Sequence, residues 1–237
     1  MLKGTFPIEK FKSLETPFYY YDMDLLQKTL DAIKDETGKY GCFHVHYAVK
    51  ANANPRILSL IASNGLGADC VSGGEIQAAL KAGFPADKIV FAGVGKADWE
   101  INLGLKENIF CFNVESLAEL RVINELAGRK NMKADVALRI NPEVDAHTHA
   151  KITTGMKENK FGINLGLLGG VLDELAGMQH VRLIGIHCHI GSQITDMSAF
   201  RNLAIRINEI QDELDKRGFH VENLNMGGGL GIDYYHP

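Results

Sequence analysis

The chain has 237 residues, of which 46% are hydrophobic and 23% are charged, and its net charge is −4. This composition is typical of a globular protein with a sizeable core, and the charge argues against a nucleic-acid or acidic membrane partner. Its four cysteines form no C-x-x-C pair, so neither a disulfide framework nor a zinc site is predicted. No apolar run could cross a bilayer and the N-terminus has no signal-peptide core, so we expect a cytoplasmic protein.

Strand-like and helix-like segments alternate along the chain. Apolar runs predict strands at 43–49, 68–71, 89–92, 109–114, 135–140, 182–190 and 221–226. Amphipathic segments predict helices at 24–36, 54–63, 74–82, 98–107, 116–127, 165–176 and 198–217. Ser116 and Glu119 predict a capping box at the start of one helix. The aromatic segment PFYYYD at 17–22 is also strand-like, although no neighbour for it is evident.

Strands separated by helices indicate parallel pairing, and nearly continuous apolar strands indicate a sheet that is covered on both faces. Seven such units in succession favour an α/β fold of the (β/α)8 TIM-like barrel type over a doubly wound sheet. A closed barrel needs eight strands, and the seventh is followed only by a glycine run and IDYYHP at 232–237. We therefore expect a barrel that is incomplete in this chain.

Polar residues stand at the C-terminal ends of the predicted strands. Lys50 follows the first strand, Asp69 lies at the second, Arg139 ends the fifth, His189 ends the sixth, and 227–231 (GGGLG) follows the seventh. In a parallel barrel those ends share one rim, where active sites of this architecture are built. The pattern therefore predicts a functional site at this rim.

Lys50 comes directly after a short apolar run in the segment HYAVKAN at 46–52. The simplest interpretation is a lysine whose amine reaches water past the rim. The alternative is a lysine that reacts with a carbonyl carbon, which requires partial desolvation so that the neutral amine is accessible. A lysine at the end of an inward-facing strand, opposite an anion site, would meet that requirement, and we favour this interpretation.

The glycine run at 227–231 is a candidate anion site. Backbone without Cβ atoms can approach a phosphate closely and offer its N–H groups, and the loops after the last barrel strands are the usual phosphate site. Ser192 could add a hydroxyl donor. A glycine-rich loop is a weak signal by itself, and a tight turn explains it equally well.

The two histidines of the sixth strand, His187 and His189, share one face of that strand. They could be metal ligands, although the further ligands of a divalent site are not evident. Otherwise we expect His187 to be a hydrogen-bonded core residue and His189 to pack against a flat ligand.

The charged residues Asp69, Glu75 and Arg139 have competing explanations. Glu75 is best explained as a carboxylate at a helix start, whereas Asp69 could lie close to the Lys50 amine. Arg139 is costly to bury unpaired, so we expect it to pair with Asp69 or with a ligand.

Seven motifs together resemble one family, the fold-type III pyridoxal-phosphate decarboxylases that act on ornithine, arginine and diaminopimelate. The resemblance is greatest to the members that act on diaminopimelate. The motifs occur in the family's order across nearly the whole chain: YAVKAN (47–52), DCVSGGE (69–75), FNVES (112–116), RINP (139–142), KFG (160–162), HCHIGSQ (187–193) and NMGGGLGI (225–232). Each is weak alone, but together they are specific.

The resemblance implies that pyridoxal 5′-phosphate is bound as a Schiff base to Lys50 and that His189 stacks on its ring, so that Lys50 and His189 are the catalytic residues. The cofactor-binding residues that it implies are Lys50, Asp69, Arg139, His189, Ser192, Gly227, Gly228 and Gly229, with no metal. The implied substrate is meso-diaminopimelate, decarboxylated to L-lysine, and the implied assembly is a homodimer of the full-length protein.

The chain departs from the family pattern at its end. A Glu-Pro-Gly-Arg motif, whose acidic residue pairs with the pyridine nitrogen, is absent, and so is the C-terminal β-domain that completes a dimeric active site. We therefore expect residues 1–23 to be a strand segment of that domain and residues 24–237 to be the barrel domain. We also expect the chain alone to be catalytically incomplete.

Several alternatives are consistent with the same residues. Within the family, the substrate could be ornithine, arginine or carboxynorspermidine, or the protein could bind the cofactor without turnover. Outside it, His187 and His189 could serve a metal-dependent barrel hydrolase, or Lys50 could serve an aldolase that acts on a phosphorylated sugar without a cofactor.

Overall fold

The computed structural model describes residues 4–144 and 161–234. Its strands are β1 (His46–Ala48), β2 (Gly67–Cys70), β3 (Ile89–Phe91), β4 (Cys111–Val114), β5 (Ala134–Asn141), β6 (Ile163–Asn164), β7 (Val181–His187) and β8 (Asn223–Asn225). Its α-helices are α1 (Ile8–Phe11), α2 (Met23–Thr37), α3 (Pro55–Ser63), α4 (Gly73–Ala82), α5 (Asp98–Glu107), α6 (Leu117–Arg129), α7 (Leu165–Leu175) and α8 (Met197–Lys216). None of these helices, in the part of the chain that is described, is long and apolar enough to span a membrane.

The strands form one parallel sheet in the order β1-β2-β3-β4-β5-β7-β8, and the two-residue β6 pairs with the end of β5. Within the described ranges, β1 and β8 are the two ends of the sheet and do not pair with each other. The incomplete (β/α) barrel expected from the sequence is therefore confirmed. The seven predicted strands and the seven predicted helices are all present; β6 and α1 were not predicted because they are too short to show a periodic pattern.

The segment 17–22 has no sheet partner among the described residues. Its rings join an aromatic cluster instead, in which Phe11 lies 5.3 Å from Phe18 and 4.9 Å from Tyr20, measured between ring centroids. The Tyr20 hydroxyl donates a hydrogen bond of 2.9 Å to the Thr5 carbonyl. Aromatic residues favour strands but also favour such edge-to-face clusters. The assignment of residues 1–23 to a further domain stays a prediction.

The main hydrophobic core lies between the sheet and its helices, and includes Ile76 of α4, Ile101 of α5 and Leu120 of α6. A second, much smaller cluster lies on the other face of the sheet and consists of Val90, Cys111 and Ala137.

This inner face carries polar side chains beside its small apolar cluster, whereas the interior of such a barrel is usually filled by bulky branched residues. One register row runs through Asp69, Val90 and Cys111, and another runs through Arg139, His187 and Asn225. The interior therefore holds polar groups at the C-terminal ends of the strands, where the sequence predicts the site.

Candidate active site

Lys50 lies in a 3₁₀ turn, Val49–Ala51, directly after β1. The positive charge of Lys50 lowers the pKa values of Asp69, His187 and His189. The Lys50 side chain therefore lies near these residues, at the inner rim. Its amine has no hydrogen bond or ion pair with any residue in the described ranges.

The partial dehydration expected for Lys50 is not found, because its side chain is exposed. The physical reason is the position of β1 at the end of the sheet, where β2 is its sole neighbour among the described residues. One side of Lys50 is therefore left uncovered by the part of the chain that the structure describes.

Asp69 lies in β2, in register with Ala48 of β1 and Val90 of β3. Burial raises the pKa of its carboxyl to about 6, and the positive charge of Lys50 opposes that rise. Asp69 and Lys50 are thus close enough for their charges to interact. The Oδ1 atom of Asp69 is buried and has no hydrogen-bond partner in the described chain. Buried oxygens normally have partners, so this atom can accept a hydrogen bond from a ligand, a water molecule or a reoriented amine.

Arg139 pairs with Glu115 and not with Asp69, so that predicted pairing is wrong, while the alternative pairing with a ligand stays a prediction. The Arg139 guanidinium donates bonds of 2.7 and 3.0 Å to the two carboxylate oxygens of Glu115, and it lies 5.6 Å from the centre of the Phe161 ring. Glu115 directly follows β4, the strand next to β5, whereas Asp69 lies three strands away from Arg139. Strand order therefore decides the partner.

Glu115 was given no role from the sequence, although it stands in the FNVES motif. A carboxylate directly after one buried strand, with an arginine at the end of the next, is a signal that could have predicted the pair, since consecutive strands of such a barrel are neighbours. Glu75 lies in the first turn of α4 and accepts a 2.8 Å bond from the Val71 N–H, which agrees with its interpretation as a helix-start carboxylate.

His187 ends β7 and is buried, with 6% of its surface exposed. Its Nδ1 atom has no hydrogen-bond partner among the described residues, so the expected hydrogen-bonded core histidine is not what the structure shows. Burial, together with the positive charge of Arg139, lowers the pKa of its ring to about 3. His187 is therefore a neutral ring with a free nitrogen inside the barrel.

His189 is half-buried, two residues beyond His187. Burial lowers the pKa of its ring, and the charges of Arg139 and Lys50 act in the same direction. A neutral imidazole with one accessible side is suited to packing against a flat heteroaromatic ligand.

The glycine loop after β8 offers two free N–H groups, not three. The N–H of Gly227 donates a 2.8 Å bond to the Asn225 side chain, whereas those of Gly228 and Gly229 have no acceptor within the described ranges. Gly227 adopts φ 71° and Gly229 adopts φ 95°. A Cβ on Gly227 would lie 2.6 Å from the Cys188 carbonyl oxygen, so glycine is required there for both conformation and close approach.

The loops after β7 and β8 are bound to each other. The Ile194 N–H donates to the Gly229 carbonyl and the Gly231 N–H donates to the Ile194 carbonyl, both at 2.8 Å. A Cβ on Gly227 would also lie 2.8 Å from His189 Nδ1, so the histidine ring borders the glycine loop. Ser192 is exposed in the same loop pair. The structure therefore brings His189, Ser192 and the free glycine N–H groups to one end of the sheet.

These residues fit the cofactor that the resemblance implies. Lys50 offers an unpaired amine, and His189 offers a neutral ring for a flat partner. The unpaired donors suited to a phosphate are the Ser192 hydroxyl and the N–H groups of Gly228 and Gly229. Within the described residues, no group of three or more His, Cys, Asp or Glu side chains is arranged to hold a metal ion.

Comparison with known proteins identifies the family of the chain. Residues 24–237 match the family described as pyridoxal-dependent decarboxylase, pyridoxal binding domain. The chain is 63% identical over 236 residues to a diaminopimelate decarboxylase of Bacteroides thetaiotaomicron, covering all of this chain and 61% of that protein. It is 40% identical over 233 residues to the one of Aquifex aeolicus, covering 98% of this chain and 55% of that protein.

Solved structures show the same relationship. The diaminopimelate decarboxylase of Helicobacter pylori, complexed with L-lysine, has a TM-score of 0.90 and 40% identity, covering 97% of this chain and 58% of that one. The Methanocaldococcus jannaschii enzyme has a TM-score of 0.87 and 42% identity, covering 97% and 54%. The chain thus spans little more than half the length of most of the relatives it matches. It belongs to the family of pyridoxal-dependent decarboxylases, of which it contains the pyridoxal-binding domain.

Proposed function

We propose that the chain forms the cofactor-binding part of a decarboxylase that converts meso-2,6-diaminopimelate into L-lysine and CO₂, the last step of lysine biosynthesis. The observation that carries this proposal is the 63% identity over 236 residues to the Bacteroides thetaiotaomicron diaminopimelate decarboxylase. Because the chain covers 61% of that relative, the activity is proposed for the whole protein.

Within this proposal, the chain's own residues hold pyridoxal phosphate at the rim of the sheet. Lys50 would be the point of covalent attachment for its aldehyde carbon, and His189 would pack against its ring. The donors to the phosphate would be the Ser192 hydroxyl and the N–H groups of Gly228 and Gly229. Gly227 would shape the loop without donating, because its N–H is already bonded to Asn225.

The charged residues would support this arrangement from the sides. The Asp69 carboxylate would orient the Lys50 ammonium, since their charges already interact and Asp69 has a free buried oxygen. Arg139 is held by Glu115 and would keep His189 neutral through its positive charge. Arg139 would therefore act on the cofactor through the histidine that touches it.

When it is bound, pyridoxal phosphate supplies an electron-poor ring that accepts the electron pair released as the bond to CO₂ breaks. A proton must then take the place of the lost carboxylate, so that meso-diaminopimelate minus CO₂ gives L-lysine. Lys50 and Asp69 are titratable groups at this rim that can hold that proton. We also propose that the whole protein acts in the cytoplasm as a homodimer, as the resemblance to the family implies.

Two measurements test the proposal. The purified chain is incubated with pyridoxal phosphate, reduced with borohydride and digested, and mass spectrometry is expected to find the adduct on Lys50. The whole protein is then assayed for CO₂ release from meso-diaminopimelate, ornithine and arginine, and we expect release from the first alone.

The outcomes separate the alternatives. An adduct that is absent or on another lysine overturns the assignment of Lys50. A preference for ornithine or arginine overturns the substrate, and an adduct without any turnover would identify a cofactor-binding protein that is not a decarboxylase. Comparable CO₂ release by this chain alone would contradict the expectation that it is catalytically incomplete.

A further inference from the structure

Lys96 is a buried lysine that lies in the loop between β3 and α5. Its side chain is 1% exposed, and its ammonium donates to the Gly93 carbonyl at 2.8 Å, the Asn113 carbonyl at 2.8 Å and the Glu119 carboxylate at 2.6 Å. Three acceptors use all three ammonium protons. Lys96 therefore ties its own loop to β4 and to the first turn of α6.

Glu119 connects Lys96 to Glu115 by hydrogen bonds. One of its carboxylate oxygens bonds to Lys96, and the other accepts a 3.0 Å bond from the Glu115 N–H. The predicted capping box is thus only half formed, because Ser116 caps the Glu119 N–H at 3.2 Å while the Glu119 carboxylate bonds elsewhere. Glu119 is free of the capping role and serves as the link between Lys96 and Glu115.

Glu115 carries the connection to the candidate active site. Its carboxylate holds Arg139 at 2.7 Å and accepts a 3.2 Å bond from the Gly93 N–H. Gly93 is thereby held at its carbonyl by Lys96 and at its N–H by Glu115. The residues Lys96, Glu119, Glu115 and Arg139 form one network, in which Glu119 and Glu115 are joined through the main-chain N–H of Glu115; we call it the wall network.

We propose that Lys96 and Glu119 are positioning residues of the candidate active site, which hold Glu115 and, through it, Arg139 beside His187 and His189. The nature of what the site binds rests on the proposed function; the positioning itself does not. Neither residue lies in one of the seven family motifs, and neither bonds to Lys50 or the glycine loop in the described chain.

His189 can report on the wall network without any ligand. Besides burial, the charges that act on its pKa are those of Arg139, Lys50 and Glu115, and it is coupled to the neighbouring ring of His187. Lys96 and Glu119 are not among them. The charge of Lys96 does lower the pKa of His187, whereas Glu119 acts on neither ring, so a change in His189 titration caused by altering Glu119 reports a movement of the Glu115–Arg139 pair most directly.

The experiment is an NMR titration of the chain labelled with ¹⁵N-histidine. Glu115→Gln is the reference variant, in which the His189 midpoint should fall because Arg139 and Lys50 are no longer opposed by a negative charge. Lys96→Met and Glu119→Gln should move the midpoint in the same direction, and Lys96→Arg should restore it towards the wild-type value because arginine can bond to the same acceptors.

Two variants in the same helix serve as controls. Arg121→Met removes a cation whose partner, Glu174, is also exposed, and Leu120→Ala weakens the core beside Glu119 without touching the wall network. Both should leave the His189 midpoint unchanged. If Lys96→Met does not fold, the His189 midpoints of Glu119→Gln and Lys96→Arg decide whether the wall network positions Arg139.

An unchanged His189 midpoint in folded Glu119→Gln and Lys96→Met would overturn the proposal, as would an equal shift in Leu120→Ala. A second readout is the dissociation constant for pyridoxal phosphate, which should rise about tenfold in both variants. If the wild-type chain does not bind pyridoxal phosphate, the proposed function fails, and the histidine titration still decides whether the network positions Arg139.

Discussion

The wall formed by β4, β5 and β7 differs from the rim formed by β1 and the glycine loop in how its polar groups are paired. On the wall, Glu115 and Arg139 bond to each other and are largely buried. On the rim, Lys50 and Ser192 are exposed and have no partner in the described residues. A strand inside the sheet has neighbours on both sides, whereas an edge strand has one. The Glu115–Arg139 pair of the wall is therefore satisfied within the chain, and the rim presents groups that are available to a ligand.

The largest effect is expected at the rim, for Lys50→Ala. Loss of the amine should abolish the borohydride-stable adduct in mass spectrometry, and should lower turnover by the whole protein by about 10³-fold. Lys88→Ala is a matched control, since Lys88 is an exposed lysine that precedes β3 at the other end of the strand. An adduct that survives in Lys50→Ala but disappears in Lys88→Ala would reverse the assignment of the two ends of the sheet.

On the wall, Glu115→Ala should be strongly destabilising, because it leaves the Arg139 charge buried without its partner. We expect the free energy of unfolding in urea to fall by about 3–5 kcal/mol. The exposed pair Arg182–Asp135, with Arg182 62% exposed, provides the comparison, and Arg182→Ala should have a much smaller effect. Equal losses of unfolding free energy in Glu115→Ala and Arg182→Ala would show that the Glu115–Arg139 pair stabilises the fold no more than an exposed ion pair does.

Within the glycine loop, neighbouring positions should respond differently to alanine. Gly229→Ala forces φ 95° on a residue with a side chain, and its Cβ would overlap the Gly191 carbonyl, so we expect a loss of about 1–3 kcal/mol in urea unfolding. Gly228→Ala would meet nothing within 4 Å and should stay within about 0.5 kcal/mol. A loss at both positions would indicate that the loop is constrained throughout.

The last expected effect, which is confined to part of the pH range, concerns Asp69. Its carboxyl pKa is raised from 3.8 to about 6 in the folded state, so the folded chain binds the proton more tightly, and stability falls as the pH rises through this window. Asp69→Asn should therefore be more stable than the wild type at neutral pH by about 1–3 kcal/mol, and the difference should vanish below the ordinary carboxyl value.

The measurement is urea unfolding of both proteins at a series of pH values. The difference between the variant and the wild type is the relevant quantity, because His187 acts in the opposite direction. Its pKa is lowered to about 3, so its contribution to stability is lost as the pH falls from 6.5 towards that value. A difference between the proteins that does not change with pH would show that Asp69 does not titrate in this window.

The sequence by itself determined the order and type of the elements, because hydrophobic periodicity is a local property. The seven main strands and the seven main helices were recovered, and the placement of Lys50, Asp69, Arg139 and His189 near the ends of strands followed from them. The strand β6 was missed because it is too short for any period, and the aromatic residues of the segment 17–22 form a cluster that periodicity does not predict. The motifs also identified the family, since seven of them in one order are specific.

The tertiary structure alone decided which polar group meets which. Arg139 bonds to Glu115 because β4 and β5 are neighbours, the Gly227 N–H is taken by Asn225, and Lys50 is exposed because β1 lies at the edge of the sheet. Lys96 gives no sign of its burial in the sequence, since its three acceptors come from three separate segments. Hydrogen bonds and ion pairs join residues that are distant along the chain, and their choice depends on strand order and register, which periodicity does not encode.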